Sequence, residues 1–448
     1  MAQSPLDRTS LSEAVTRVAC YSPDSMDANV TGTRGKFAAP IAGATMALVL
    51  LTALNFVNYI DRYILPGVQE LVKKEFGVSD SQIGSITFFF FLTYMISAPL
   101  TGWLGDHFPR KPLIVGCAVV ISLVNILTGT VHQFDSLLFR HAILGIGEAS
   151  LGIYAPALLA DFYPEDQRNR ILTVFYTAIP VGAAIGYLIG ELVGSKYGWR
   201  MPFYVSAVPG MTIALLILFL MKEPQRGATD TEAEKAAEPK EKGIGPFLAS
   251  VGQLAVNARY MFASLGMAMV TFSMGGISAW MPSFLQRSGF SPNSVGITLG
   301  AITAGCGLGG TAIGGMIAQR WLKTNANALF LVSAWSALLA VPPAVVCFFG
   351  PRSTMLPMLA VAMFLIFLGT GPLNAAIINA VPAAVRSSAI AIELLLIHAL
   401  GDTPSPKLIG MVSDHSNLAR GLGLTLVTLV IAGVLLFLGA RSPKLATE

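Results

Sequence analysis

Residues Gly102 to Lys111 read GWLGDHFPRK, an acid and two bases set among glycines between two long apolar runs. Such a decad reads as the tight hinge between two membrane-crossing helices rather than as a loop of a soluble domain. A degenerate copy, GGMIAQRWLK, begins at Gly314 after another apolar run; it keeps the leading glycine and the closing lysine and replaces the acid by Ala318. PEDQR at Pro164 to Arg168 and PAAVR at Pro382 to Arg386 share a proline and an arginine at one spacing, and each opens an apolar stretch. Gly102 and Gly314 are 212 residues apart and Pro164 and Pro382 are 218 apart, nearly half of the 448-residue chain. Two landmarks at nearly one offset point to an internal duplication, which in a membrane protein suggests a transporter built from two bundles.

Composition agrees with a bilayer as solvent: 54% of the residues are hydrophobic and 12% charged, against about 25% charged in soluble domains. Apolar stretches of the length a bilayer requires, about 20 residues, run over 43–69, 82–104, 112–131, 137–160, 170–194, 201–221, 260–285, 293–318, 327–349, 354–380, 387–412 and 421–440. An all-α membrane protein of twelve spans in two six-helix bundles is therefore expected, with one bundle over 41–221 and the other over 248–441. Between them, 222–247 is charged, alanine-rich and broken by prolines, which fits a solvated linker. Residues 1–40 mix Ser, Asp, Arg and Thr without the apolar core of a secretory signal and are expected to be a disordered tail, as is 442–448.

An even number of spans puts both termini on one side. That side receives most of the basic residues, Arg110, Lys111, Arg168, Arg170, Lys222, Arg226, Arg320 and Lys323 among them, whereas the other side receives Lys73, Lys74, Lys196, Arg200, Arg287, Arg352 and Arg420. The positive-inside bias then places the termini and linker in the cytoplasm, where Asn29, although it heads an Asn-Val-Thr acceptor pattern, would not meet the glycosylation machinery. The short loops suggest a prokaryotic inner membrane. The formal charge of +4 reports orientation rather than nucleic-acid binding, and Cys20, Cys117, Cys306 and Cys347 show no paired spacing that indicates a disulfide framework or a metal site. No cofactor is expected.

Gly182, Gly186, Gly190 and Gly194 recur every fourth residue on the fifth span, so they share one face on which another backbone can approach closely. The eighth span carries Gly305, Gly307, Gly309, Gly310, Gly314 and Gly315. Its G-x-G-x-x-G lacks the surrounding strand and mononucleotide fold that dinucleotide binding needs, so packing explains it better. A gating role for these smooth faces stays open beside pure packing.

Ionisable residues inside spans are costly and point to function. In the first half these are Asp61, Arg62, Arg140 and Glu148. Counted at about 1.5 Å per residue, Asp61 and Arg62 lie about 27 Å along the first span, a depth that Arg140 also reaches from the other side, so that Asp61 and Arg140 can pair while Glu148 sits nearer the midplane. A small rearrangement around such a carboxylate moves it across physiological pH, which suits proton coupling; a buried ion pair that only fixes helix register is the other possibility. The second half offers Glu393, His398, Asp402 and Lys407 on the eleventh span, which Pro404 and Pro406 break.

With these residues in view, GWLGDHFPRK resembles the loop motif between the second and third helices of the major facilitator superfamily. The strings NYIDR (Asn58 to Arg62), RHAILGIGEAS (Arg140 to Ser150), FYTAIPVGAAIGYLIG (Phe175 to Gly190), GDTPSP and LIGMVSD are similar to those of the Spinster-like lipid transporters. The resemblance implies a central cavity and alternating access by rocking of two bundles. It implies Asp61 as the proton-binding acid, modulated by Arg62 and Arg140, with Glu148 in the cavity; Tyr59, Tyr154, Glu393 and His398 are further cavity candidates. Gly102, Asp106, Arg110 and Lys111 would form a gate that caps and pairs with the eleventh helix, and Ala318 implies that a second-half counterpart is weakened.

The resulting expectation is a proton-coupled secondary transporter of an amphipathic, lipid-like substrate of sphingolipid or lysophospholipid type, acting as a monomer in the bilayer. A transporter of a soluble organic anion, sugar acid or drug remains the alternative, and a membrane sensor without flux a third. An enzyme is not expected, since no H-E-x-x-H, nucleophile elbow or P-loop occurs in the chain.

Overall fold

The computed structural model describes residues 40–229, 251–382 and 385–443. All but the last residue of the expected tail over 1–40, most of the expected linker and the last residues of the chain lie outside the described residues. The first half forms α1 (Ala44–Phe76), α2 (Asp80–His107), α3 (Arg110–Thr128), α4 (Phe134–Phe162), α5 (Glu165–Tyr197) and α6 (Met201–Leu220). The second forms α7 (Ala258–Arg287), α8 (Pro292–Leu322), α9 (Ala328–Phe349), α10 (Arg352–Asn379), α11 (Arg386–Ile397), α12 (Pro404–His415) and α13 (Leu418–Arg441). Eleven of the described helices are long and apolar enough to cross a membrane. The twelfth crossing is composite: the expected single span over 387–412 is split into α11 and α12 by a π-helical turn, His398–Asp402. Pro404 and Pro406 cannot donate to a regular ladder, and the backbone takes up the break as a wider turn.

The glycine stripe of α5 packs against α1. A Cβ built on Gly182, Gly186 or Gly190 would lie 2.7, 2.6 and 2.7 Å from the carbonyl oxygens of Phe56, Ile60 and Ile64, so the two backbones meet with no side chain between them. On α8 the glycines serve two partners. Gly296 and Gly300 approach Glu191 and Ala184 on α5 of the other half, while Gly310 and Gly314 lie on the carbonyls of Phe364 and Leu368 of α10. Replacing Gly190 by leucine forces the α1–α5 seam apart at a cost of about 1–3 kcal/mol or more. The purified variant is expected to melt several degrees below wild type, and an equal melting temperature would remove the stripe from the account of packing.

The halves meet along two seams, α5 with α8 and α2 with α12. In the second, Gly84 abuts the Pro406 carbonyl and Gly410 abuts the backbone of Asp80 and Ser81. Among the described residues, the hydrogen bonds and ion pairs that join the halves gather toward the end away from the termini, called here the far end. Asp80, at the start of α2, is their hub. Its carboxylate accepts from Lys73 (2.5 Å), from both terminal nitrogens of Arg287 (2.7 Å each) and from Ser413 (2.6 Å). Arg287 also reaches Glu70 at 2.6 Å. Asp414 of α12 accepts from the backbone N–H groups of Asp80 and Ser81 at 2.8 and 3.0 Å, so one half caps a helix N-terminus of the other. Gln69 of α1 adds bonds to the Ala279 carbonyl and the Ser283 hydroxyl.

At the opposite end the chain behaves differently. Residues after α6 fold back onto their own half: Arg226 donates to the carbonyls of Gly105, Asp106 and Phe108, and Glu223 accepts from the N–H groups of Arg110 and Lys111. Thr229 donates to the carbonyls of Ala160 and Tyr163 that end α4. The orphan carbonyls of α2 and amides of α3 are thereby satisfied within one half.

A candidate charged site at mid-membrane

Arg62 stands near the middle of α1, and Glu148 near the middle of α4. Nε and Nη2 of Arg62 donate to one oxygen of Glu148 at 2.8 and 2.6 Å. The other oxygen of Glu148 is buried without a protein partner. The guanidinium is ringed by aromatic side chains, with Tyr59, Phe90, Phe91 and Tyr94 centroids 4.9, 5.3, 5.6 and 5.7 Å from its central carbon. These faces hold a cation whose side chain is 19% exposed.

The second half contributes the π-helical turn. His398 stacks on Phe91 at 5.7 Å between centroids and lies 5.0 Å from Tyr94, and its Nδ1 is 2.9 Å from Asp402 Oδ1. The widened turn makes this reach possible because it offsets the helix by one residue between α11 and α12. Glu393, one turn earlier, is buried with an unpartnered carboxylate oxygen, and Tyr260 of α7 donates its hydroxyl to the nearby Ala389 carbonyl.

The expected pairing of Asp61 with Arg140 does not form. Arg140 donates instead to the Thr130 hydroxyl at 3.3 Å, near the start of α4. The cause is the length of α1, which continues to Phe76, seven residues past the expected span, and so brings Asp61 and Arg62 level with Glu148. Asp61 and Arg62, consecutive on a helix, point about 100° apart. Arg62 faces the aromatic ring, whereas Asp61 is buried with Ser206 of α6 and Asn125 of α3 beside it. One Asp61 oxygen and both amide atoms of Asn125 have no hydrogen-bond partner. Tyr154, expected in the cavity, packs against Gly105 in the interior of the first half and is 1% exposed.

The gating decad also differs from expectation. Arg110 is paired with Asp161 of α4, Lys111 donates its N–H to Glu223, Gly102 is free of close neighbours, and the Asp106 side chain is exposed. Among the described residues no hydrogen bond or ion pair runs from this loop to the eleventh crossing, which meets α2 from Phe91 and Tyr94 at mid-membrane to Asp80 at the far end. Two groups escaped the sequence. Tyr94 was signalled by its spacing of three and four residues from Phe91 and Phe90 on the second span; Glu191, buried on α5, was hidden inside the glycine stripe.

Two six-crossing halves around a charged, aromatic-lined centre, bonded to each other at one end, are the architecture of a membrane transporter. A profile of the Major Facilitator Superfamily matches residues 51–403. Protein spinster homolog 1 of Mus musculus is 33% identical over 393 residues, covering 83% of this chain and 73% of that protein. The Sphingosine-1-phosphate transporter SPNS2 of Danio rerio is 30% identical over 388 residues, covering 82% and 76%. Among solved structures, a bacterial homologue of the human lysosomal transporter Spinster, inward-facing and unoccupied, superposes with a TM-score of 0.77 at 21% identity over 90% of this chain and 98% of that one. A D-xylose–proton symporter superposes with a TM-score of 0.70 at 15% identity, over 90% and 99%. The chain belongs to the major facilitator superfamily and, within it, to the Spinster-like transporters.

Proposed function

We propose that this transporter moves an amphipathic, lipid-like substrate with an anionic headgroup, coupled to protons, by alternating access. The observation that carries the proposal is the Arg62–Glu148 pair, set in aromatic side chains at mid-membrane and faced by His398 and Asp402 from the other half. Arg62 is a cation within reach of an anionic headgroup, and Glu148 is the group that such a headgroup would displace; a proton on Glu148 releases the guanidinium for that exchange. Asp61, on the neighbouring face of α1, is the proposed proton carrier. The aromatic and aliphatic surfaces beside Arg62 suit an acyl or sphingoid chain better than a fully polar solute, which favours the lipid class over a soluble anion.

Alternating access is supported by the location of the bonds between the halves at the far end. On this proposal the halves comprise 41–221 and 248–441, joined by 222–247, both termini are cytoplasmic in a prokaryotic plasma membrane, and the conformation described is open to the cytoplasm. Asp106, Arg110 and Lys111 then exchange their present partners for the eleventh crossing when that end closes, at a close approach that Gly102 permits.

The test is substrate-dependent proton flux in proteoliposomes carrying a trapped pH dye, challenged in turn with lysophospholipids, sphingoid phosphates and water-soluble organic anions. A signal confined to the amphiphiles is expected. A signal only with the soluble anions would replace the lipid class by the alternative, and labelled-lipid flux without proton movement would remove the coupling.

A further inference from the structure

Glu191 lies on α5 about two turns before the far end and is 1% exposed. Both of its carboxylate oxygens lie 2.8 Å from Nε2 of Gln286 on α7, in the other half. Its Cβ and Cγ are packed on the backbone of α8, where a Cβ built on Gly296 would meet them at 2.8 and 3.2 Å. The side chain therefore sits where three helices from two halves converge, and two of them must withdraw whenever the far end opens.

Among the described residues no cation accompanies it. From α1 the facing charged group is Glu70, of like sign, whose own partner is Arg287 at 2.6 Å. From α7 the contact is the neutral amide of Gln286, and the adjacent Arg287 is turned to Glu70 and Asp80. From α8 it meets Gly296, with Asn293 one turn away bonded to Ser195. On α5 itself Lys196 lies over the Tyr197 ring. An ionised carboxylate closed into such a seam with one amide donor carries a desolvation cost that no ion pair offsets; a bound proton removes it.

We propose that Glu191 is a second proton-binding site, at the seam between the halves, which holds a proton while α5, α7 and α8 are closed around it and yields it to the far-side solution when they separate. The release half of the proposal rests on the alternating access proposed above. Glu191 is thus closed off in the conformation described and exchanges its proton with the far-side solution only when the seam separates, and it makes closure of the far end sensitive to the pH on that side.

Difference infrared spectroscopy of the full chain in bilayers reads this directly. At neutral pH a protonated-carboxyl C=O band is expected in wild type, lost in Glu191→Gln and kept in Asp61→Asn; Gln286→Leu shifts its frequency, which serves should Glu191→Gln not fold. A cysteine pair at Ser195 and Asn293, cross-linked to lock the seam, should hold the band at alkaline pH until the link is reduced. Spectra of wild type and Glu191→Gln that agree throughout would overturn the site, and a Glu191 band indifferent to the cross-link would overturn its coupling to opening. Substrate flux undiminished by the cross-link would instead sink alternating access, a separate result read in the same vesicles.

Discussion

Uptake driven by a pH gradient is expected to fall at least tenfold, to the level of empty vesicles, when Asp61 is replaced by asparagine. The substitution keeps the shape of the side chain, and one Asp61 oxygen has no protein partner to lose. Asn125, whose amide atoms have no partner, lies beside the position and can accept from or donate to an amide there. The variant should fold, insert and bind substrate, since the Arg62–Glu148 pair lies on another face of α1. What disappears is the gain and loss of a proton, and with it the coupling of substrate movement to the gradient. Downhill flux of labelled substrate should survive, which separates this result from misfolding. Full gradient-driven uptake in Asp61→Asn would sink the assignment and leave Glu148 as the acid to test next.

The second large effect concerns conformation. Gly410 of α12 meets the backbone of α2, where an added Cβ would stand 2.5 Å from the Asp80 carbonyl oxygen and 2.8 Å from the Ser81 nitrogen. Neither atom can rotate away, so Gly410→Ala must wedge the α2–α12 seam and weaken the bonds that Asp80 and Asp414 make across it. Overpacking costs about 1–3 kcal/mol, which shifts the ratio of closed to open far ends about 5- to 150-fold. Spin labels at Lys74 and Ser416, exposed at the far end on opposite halves, should show a longer distance population in the variant. Gly116→Ala, with nothing within 4 Å, should leave the distribution unchanged. Identical distributions in Gly410→Ala and wild type would mean that the seam has slack the structure does not show.

Much of the architecture is legible in the chain because membrane helices announce themselves by length and because the duplicated decad reveals the two halves. The stripe from Gly182 to Gly194 is equally plain as a close-packing face, although its partner, α1, is named only by the structure. The site is legible as a list and not as a network. Arg62 and Glu148 are conspicuous as charges in apolar spans, yet which acid meets which base depends on helix rotation and on where α1 stops, and composition blurs both. A few residues of extra helix turned the expected Asp61–Arg140 pair into Arg62–Glu148. The π-helical turn at His398–Asp402 is likewise foreshadowed only as a break near two prolines, since a one-residue offset in hydrogen bonding leaves no periodic trace over five residues. Glu191 was overlooked because it directly follows Gly190, in a segment whose small residues already had an explanation.

Arg62 and Glu148 both ride on the first half, and their bond is unaffected by a rigid rotation of one half against the other. An interaction of equal strength in two conformations cannot choose between them, however strong it is. The contact of His398 with Phe91 and Tyr94 is of the opposite kind, for it crosses between the halves and, on the alternating access proposed above, is remade at every excursion. The centre of the membrane thus holds a constant and a variable: the first half carries a standing charge pair, and the second half samples that pair through an aromatic touch that a rotation of the halves makes or breaks.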